Sequence, residues 1–316
     1  MPDAAPPAVS VIVPAYGVAH LLAETLASIQ AQTQTDWEAI VIDDGSPDDV
    51  VSVFEQFAPD PRFRLLRTNN GGLATARNRA IAAARAPYVA LLDGDDVYEP
   101  TYLERMLPLI EADPELGFVS CDAVYFGESV RETRYGERYC MTGPMTLERV
   151  LSRDLVIFVA AVLRRSALDA VGGFDGRLRA VEDLDLWIRM LAAGWRGAIL
   201  PEPLVRYRRR AGSLSSSLRN MLLASCAVYG KACDQLSGEP RRVAQERLAA
   251  CEQELRWLEG EARVRRGDVA GGLPLLRGAE RRSARWRLAL AVLRCAPRLA
   301  GWLLRNSQRT AQPRSA

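Results

Sequence analysis

Apolar positions in the first two-thirds of the chain switch back and forth between a strand period and a helix period. Val9-Ser-Val-Ile-Val13 is a β-branched run ended by Pro14, the pattern of a buried strand. Leu22, Leu26 and Ile29 recur at helical spacing and predict a helix over 18–34. Glu38-Ala-Ile-Val-Ile42 predicts a second strand, closed by the turn-rich Asp43-Asp-Gly-Ser-Pro-Asp48. A helix over 48–57, a strand near Phe63–Leu66 and a helix over 73–85 follow. The strand Tyr88-Val-Ala-Leu-Leu92 then ends in Asp93-Gly-Asp-Asp96. Such alternation predicts an α/β fold, with a mainly parallel sheet covered by helices. Ligands of these sheets bind beyond the carboxyl ends of the strands. Here those ends are Pro14–Tyr16, Asp43–Ser46 and Asp93–Asp96.

From 115 to 210 the pattern is mixed, with strands expected near 117–121, 156–163 and 198–207 and a helix over 184–193. Beyond Ser217 strand signals stop; two or three helices are expected over 218–266, followed by a turn punctuated by Gly267, Gly271, Gly272 and Pro274. The expected organisation is therefore an α/β catalytic domain over 1–215 and an all-helical region over 216–316. At 316 residues, 48% hydrophobic and 25% charged, the chain can bury a sizeable core, which excludes disordered and collagen-like classes. Net charge is only +2, but 1–215 holds 22 basic and 30 acidic side chains, and 241–316 holds 17 and 7. That split predicts different partners for the two regions. Six dispersed cysteines without a CxxC pair argue against a zinc site or a disulfide scaffold. MPDAAPPA lacks the features of a signal peptide, and no apolar run is long enough to span a bilayer, so a cytoplasmic location is expected.

Asp93-Gly-Asp95-Asp96 places three carboxylates at one strand end. Ionised carboxylates repel one another at low effective dielectric, and a hard divalent cation (Mg²⁺ or Mn²⁺) relieves the repulsion while bridging phosphates. A helix cap or polar turn explains the same residues without a ligand. Asp43-Asp44-Gly-Ser46 reads as an ordinary turn or as a carboxylate that accepts the imide N–H of a base. Glu182-Asp183-Leu-Asp185-Leu-Trp187 opens a helix, where acidic residues suit the helix dipole. Equally, one of them is placed to deprotonate a hydroxyl. Trp187 and Asp185 are candidates to contact an acceptor, and Arg77 to reach a diphosphate. His20 is the only histidine, which excludes multi-histidine metal sites, and its place on the first expected helix argues against a Ser-His-Asp triad.

Together these segments resemble the family-2 glycosyltransferases of GT-A fold. The resemblance rests on Val9–Tyr16, Val41–Ser46, Asn70-Gly-Gly, Ala76-Arg-Asn78, Leu92–Asp96, Gly172-Gly-Phe-Asp175 and Glu182–Trp187, in order, with Tyr207–Ser215 resembling the closing segment. It covers about residues 8–216. It implies an inverting transferase that moves one sugar from a nucleotide-diphosphate sugar, a UDP-sugar first, to a glycan or lipid-linked acceptor. By the same resemblance Pro14, Tyr16, Asp44, Ser46, Arg77 and Asp93 would line the nucleotide pocket. Asp95 with Asp93 would hold the metal, and Asp183, with Glu182 beside it, would be the general base.

Gly17 stands where many relatives have Asn, and Arg210 where many have His, so no histidine metal ligand is offered there. Without a Gln-x-x-Arg-Trp motif, single-sugar transfer is expected over processive synthesis. A nucleotidyltransferase or a non-catalytic sugar-nucleotide scaffold are the rival readings. Pro14-Ala-Tyr-Gly17 lacks the glycine-rich basic loop of the first; retention of Asp95 and Asp183 argues against the second. In the tail, Arg287, Arg294, Arg298 and Arg305 fall within about 40° of one another on a helix face. With Trp286 and Trp302, the stretch 285–305 suits either an anionic membrane surface or the acidic face of the catalytic region. Nucleic acid is not expected as a partner.

Overall fold

The computed structural model describes residues 5–127, 131–210, 213 and 217–276. The arginine-rich stretch 285–305 and the expected domain boundary at 215–216 lie outside the described residues. In chain order the elements are β1 (Val9–Ala15), α1 (Ala19–Gln30), β2 (Trp37–Asp43), α2 (Val50–Glu55), β3 (Phe63–Arg67), α3 (Leu73–Ala83), β4 (Tyr88–Leu91), β5 (Val97–Tyr98) and α4 (Tyr102–Ala112). They continue with β6 (Leu116–Phe126), α5 (Tyr135–Arg138), α6 (Leu147–Ser152), β7 (Ala161–Arg164), α7 (Arg165–Ala170), α8 (Glu182–Ala192) and β8 (Arg196–Arg208). Beyond these come the helices α9 (Leu218–Gln235), α10 (Gly238–Arg265) and the short α11 (Val269–Gly272).

One eight-stranded sheet runs in the order β3-β2-β1-β4-β7-β6-β8-β5. β3, β2, β1 and β4 are parallel, and Ile12 lies opposite both Ile40 and Leu91. β7 is antiparallel to β4 and β6, while β6 and β8 are parallel. The alternation of side chains along the strands divides the core between the two faces. Val9, Val11 and Val13 pack with Leu22, Leu26 and Ile29 of α1 on one face. Ile12, Ile40 and Ile42 pack with Ala76, Ala80 and Ile81 of α3 and Leu186 of α8 on the other. Strands buried on both faces read as unbroken apolar runs, which is why β1, β2 and β4 were visible in the sequence.

The strand expected near 156–163 begins only at Ala161. Before it, the carbonyl of Phe158 accepts the Ser120 hydroxyl at 2.7 Å and the N–H of Val156 donates to Cys140 at 2.8 Å, so this backbone is bonded outside the ladder. α4, β5 and the antiparallel setting of β7 were not anticipated.

β1 is flanked by β2 on one side and β4 on the other, the point where strand order reverses and the carboxyl ends open a crevice. The loop after β4 lies directly on the end of β1. A Cβ at Gly94 would come within 2.7 Å of the Pro14 carbonyl oxygen, so only glycine lets Asp93–Asp96 approach this closely. Gly94→Ala is expected to lower stability by about 1–3 kcal/mol through this overlap. Urea denaturation checks it; an unchanged midpoint and slope would show that the loop has room to shift.

Candidate active site

The β2 end of the crevice is built around Asp44, which is buried. Its carboxylate accepts the backbone N–H groups of Gly71 at 2.9 Å and Gly72 at 2.8 Å and the Thr68 hydroxyl at 3.3 Å. Asp44 thus ties the Asn70-Gly-Gly turn to the sheet edge. Ser46 accepts the N–H of Gly17 at 2.7 Å and donates its hydroxyl to Asp48, whose other oxygen accepts the N–H of Ala19 at 2.7 Å. Its hydroxyl is therefore engaged in joining the loops after β1 and β2. Pro14 is buried beneath them, and Tyr16 projects with 54% of its surface exposed.

Arg77, on α3, is the hub of the central part. It is 1% exposed, and its two terminal nitrogens reach Asp93 at 2.5 Å and Glu182 at 2.6 Å. Burial opposes its charge, but Asp93 and Glu182, with Asp183 beyond, outweigh burial and hold it more firmly protonated than a free arginine. The expectation that Arg77 reaches a diphosphate is corrected here: the side chain is enclosed and both terminal nitrogens are occupied by carboxylates. Arg77 instead joins the loop after β4 to the first turn of α8.

Asp95 accepts Arg210 Nε at 2.8 Å, and its backbone carbonyl accepts Arg208 Nε at 2.8 Å. Asp96 is buried and accepts the N–H of Arg208 at 2.8 Å. Burial, together with Asp95 and Asp93, pushes the Asp96 carboxyl well above the usual range. Burial and then Asp93 raise Asp95, against the pull of Arg210. Burial raises Glu182 to about 7 despite Arg77, and Asp183 adds to the rise. Asp183 is raised by burial too, in part offset by a bond from the Leu184 N–H and by the charges of Arg77 and Arg153. The carboxyls after β4 and at the start of α8 are thus raised chiefly by burial, surroundings in which proton-transfer and cation-binding groups are found as well as structural ion pairs.

Val181, just before Glu182, has φ 56°, a left-handed conformation that a β-branched residue rarely adopts. Strain of this kind persists only where the surroundings enforce it. Bonds gather on the loop that leads up to it and on the helix that follows. Asn78 binds Phe174 through both its amide groups, at 2.7 and 2.9 Å. Arg189 donates to the carbonyls of Val171 at 2.6 Å and Gly173 at 2.7 Å. Lys231, from α9, bridges Asp175 and Asp185, each at 2.8 Å. Asp175 is held well below the usual range by Arg177 and then by Lys231, in spite of partial burial.

Two acceptor candidates fall elsewhere than expected. Trp187 is 1% exposed and packs on Phe118 at 4.5 Å between ring centroids, inside the core. Asp185 is spent on Lys231 and on Arg189, at 2.7 Å. Neither side chain is presented to an acceptor. An aromatic cluster that no motif announced, Tyr125, Tyr135, Tyr139, Phe158 and Tyr207, has centroids 4.6–5.8 Å apart. The sequence reading also missed Asn78 and Arg208 as parts of the site. Lys231, the single lysine of the chain, belongs to none of the motifs.

Carboxylates at the strand ends beside the strand-order reversal, with an acidic helix start joined to them through Arg77, are the arrangement of an α/β fold of GT-A type. The family model "Glycosyl transferase family 2" matches residues 10–172, and the chain belongs to that family. It is 29% identical to the putative glycosyltransferase EpsE of Bacillus subtilis over 73% of this chain and 83% of that one. It is 34% identical to the succinoglycan biosynthesis protein ExoO of Rhizobium meliloti, over 67% and 64% respectively. Among solved structures, S. aureus TarS 1-349 with UDP-GlcNAc superposes with a TM-score of 0.64 at 17% identity, covering 97% of this chain and 93% of that one. The mannosyltransferase PcManGT of Pyrobaculum calidifontis, with GDP-Man and Mn²⁺, gives 0.62 at 20% identity, covering 99% and 84%. The protein is a family-2 glycosyltransferase, and one of its relatives, ExoO, is named for succinoglycan biosynthesis. No helix among the described residues is long and apolar enough to cross a membrane.

The raised Glu182 carboxyl has a measurable consequence. The folded protein keeps on this group a proton that the unfolded chain releases above its ordinary value of 4.5. Its stabilising contribution is complete below 4.5 and is lost as pH rises through about 7. The stability margin of wild type over Glu182→Gln is therefore expected to shrink by about 1–3 kcal/mol between about pH 5 and pH 8. Urea midpoints across that range check it; a margin independent of pH would contradict the raised carboxyl.

Proposed function

We propose that the chain transfers a single sugar, with inversion, from a nucleotide-diphosphate sugar, a UDP-sugar first, to a hydroxyl of a glycan or lipid-linked acceptor. The observation that supports this most strongly is the Arg77 bridge, which holds the carboxylate-bearing loop after β4 beside the acidic first turn of α8. The nucleoside would lie between Tyr16 and Asp44, over the buried Pro14, with Ser46 holding the loops that form its floor. The diphosphate would lie toward Asp93 and Asp95.

The carboxylate cluster fits a divalent cation in part. Asp93 and Asp95 offer hard oxygen donors, and burial followed by the repulsion of Asp93 raises Asp95, a cost that Mg²⁺ or Mn²⁺ would relieve. No three His, Cys, Asp or Glu side chains among the described residues converge on one point, so phosphate oxygens and water would complete the shell. When bound there, such an ion would neutralise charge on the leaving diphosphate.

Asp183 is the general base of this reading. Its raised pKa brings it closer to working pH, which favours proton transfer. The acceptor hydroxyl gives its proton to Asp183 while its oxygen forms the new bond to the anomeric carbon. The bond from that carbon to the diphosphate oxygen breaks, and its electron pair leaves with the nucleoside diphosphate. The transition state has oxocarbenium character, and one displacement inverts the centre. Glu182, bound to Arg77, holds the first turn of α8 so that Asp183 keeps its place.

Asp183→Asn is expected to reduce turnover by about 10²–10⁴-fold while nucleotide affinity stays within about twofold. Release of UDP from UDP-sugars, with water as acceptor, measures the first and calorimetry the second. Full turnover in the variant would remove Asp183 as the base.

A further inference from the structure

Three guanidinium groups serve the carboxylate cluster, and they differ in what they have left to give. Arg77 is enclosed, with both terminal nitrogens on carboxylates. Arg208 has its Nε on the Asp95 carbonyl and a terminal nitrogen on Glu24, lies 4.2 Å from the centroid of the Phe126 ring, and keeps only 13% of its side chain exposed. Arg210 uses Nε alone, at 2.8 Å from Asp95 Oδ2. Its terminal amino groups have no hydrogen bond or ion pair with another described residue, and 28% of its side chain faces the solvent.

We propose that Arg210 is a diphosphate-binding residue, held ready on Asp95 in the nucleotide-free protein and supplying the positive charge that lets a nucleoside diphosphate enter beside Asp93 and Asp95. The inference rests on the donor-site reading above and adds the side chain that meets the phosphates. A diphosphate cannot approach a carboxylate pair without a cation between them. The planar guanidinium edge, with two terminal amino groups, matches two phosphate oxygens at once. Arg210 and a divalent ion would then serve the same carboxylate oxygen, Asp95 Oδ2, so the two act as alternatives at one place. Nucleotide binding by this chain is in consequence only partly dependent on metal.

The test is calorimetric titration of the full chain with UDP and with GDP, in EDTA and in Mn²⁺, for wild type, Arg210→Gln and Arg210→Lys. Arg105→Gln, which removes an exposed arginine paired with Glu202, serves as the charge control. Wild type is expected to bind one of the nucleotides in EDTA, and Arg210→Gln to weaken that binding by about tenfold or more. In Mn²⁺ the same substitution should cost less than about threefold, since the ion can take the vacated oxygen. Arg210→Lys keeps the charge on Asp95 without the fork and should recover part of the EDTA binding, separating phosphate contact from mere support of the loop. Equal affinity of wild type and Arg210→Gln in EDTA overturns the inference and leaves the donor site standing. Binding of neither nucleotide by wild type, with or without Mn²⁺, overturns the donor-site reading and this inference with it.

Discussion

A single buried guanidinium holds the two halves of the site in register. Arg77 is enclosed, and its charge is offset by Asp93 first and then by Glu182, each on a terminal nitrogen. Those carboxylates come from elements far apart in sequence, the loop after β4 and the first turn of α8. Removing either partner would strip a terminal nitrogen of its acceptor in the interior, so the spacing of the loop after β4 and the first turn of α8 is fixed by this bridge as well as by packing. α3 can carry the arginine there because Ala74, Ala76 and Ala80 keep its sheet-facing side small.

Around that bridge the structure spends several bonds on a single loop. Asn78, one residue after Arg77, grips Phe174 through both amide groups, and Arg189 takes the carbonyls on either side of the Gly172-Gly173 turn. Lys231 brings α9 onto the same loop through Asp175 and onto α8 through Asp185. The strained Val181 is the residue through which this clamped loop passes into the acidic helix start. The helices that follow the sheet therefore contribute to the placement of Asp183, although they offer it no side chain of their own.

Most of the sheet was legible because β1, β2 and β4 are buried on both faces and read as apolar runs. The amphipathic spacing of Leu103, Met106, Leu107 and Ile110 was equally present in α4, but Pro108 lies inside that helix and masks it. The carboxylate clusters were legible as compositions at strand ends. Their wiring was not: spacing cannot show that Arg77 turns inward to a glutamate 105 positions away, or that Ser46 is consumed by Gly17 and Asp48. Trp187 and Asp185 stood out by their chemistry and proved to be packing and scaffold, since a helix start offers one face to the crevice and the other to the core. The family resemblance implied a family-2 glycosyltransferase of GT-A fold, and the fold and family comparisons bear that out.

The account stands on the crevice between Asp44, Asp93–Asp96 and Asp183 being the donor site, with Arg77 as its fixed internal strut. A crystal structure of the nucleotide-bound protein measures this directly. It should show the base against Asp44, the diphosphate beside Asp95, and Arg77 still enclosed between Asp93 and Glu182. A nucleotide seated away from this edge, or Arg77 released from its carboxylates and turned onto the phosphates, would contradict it.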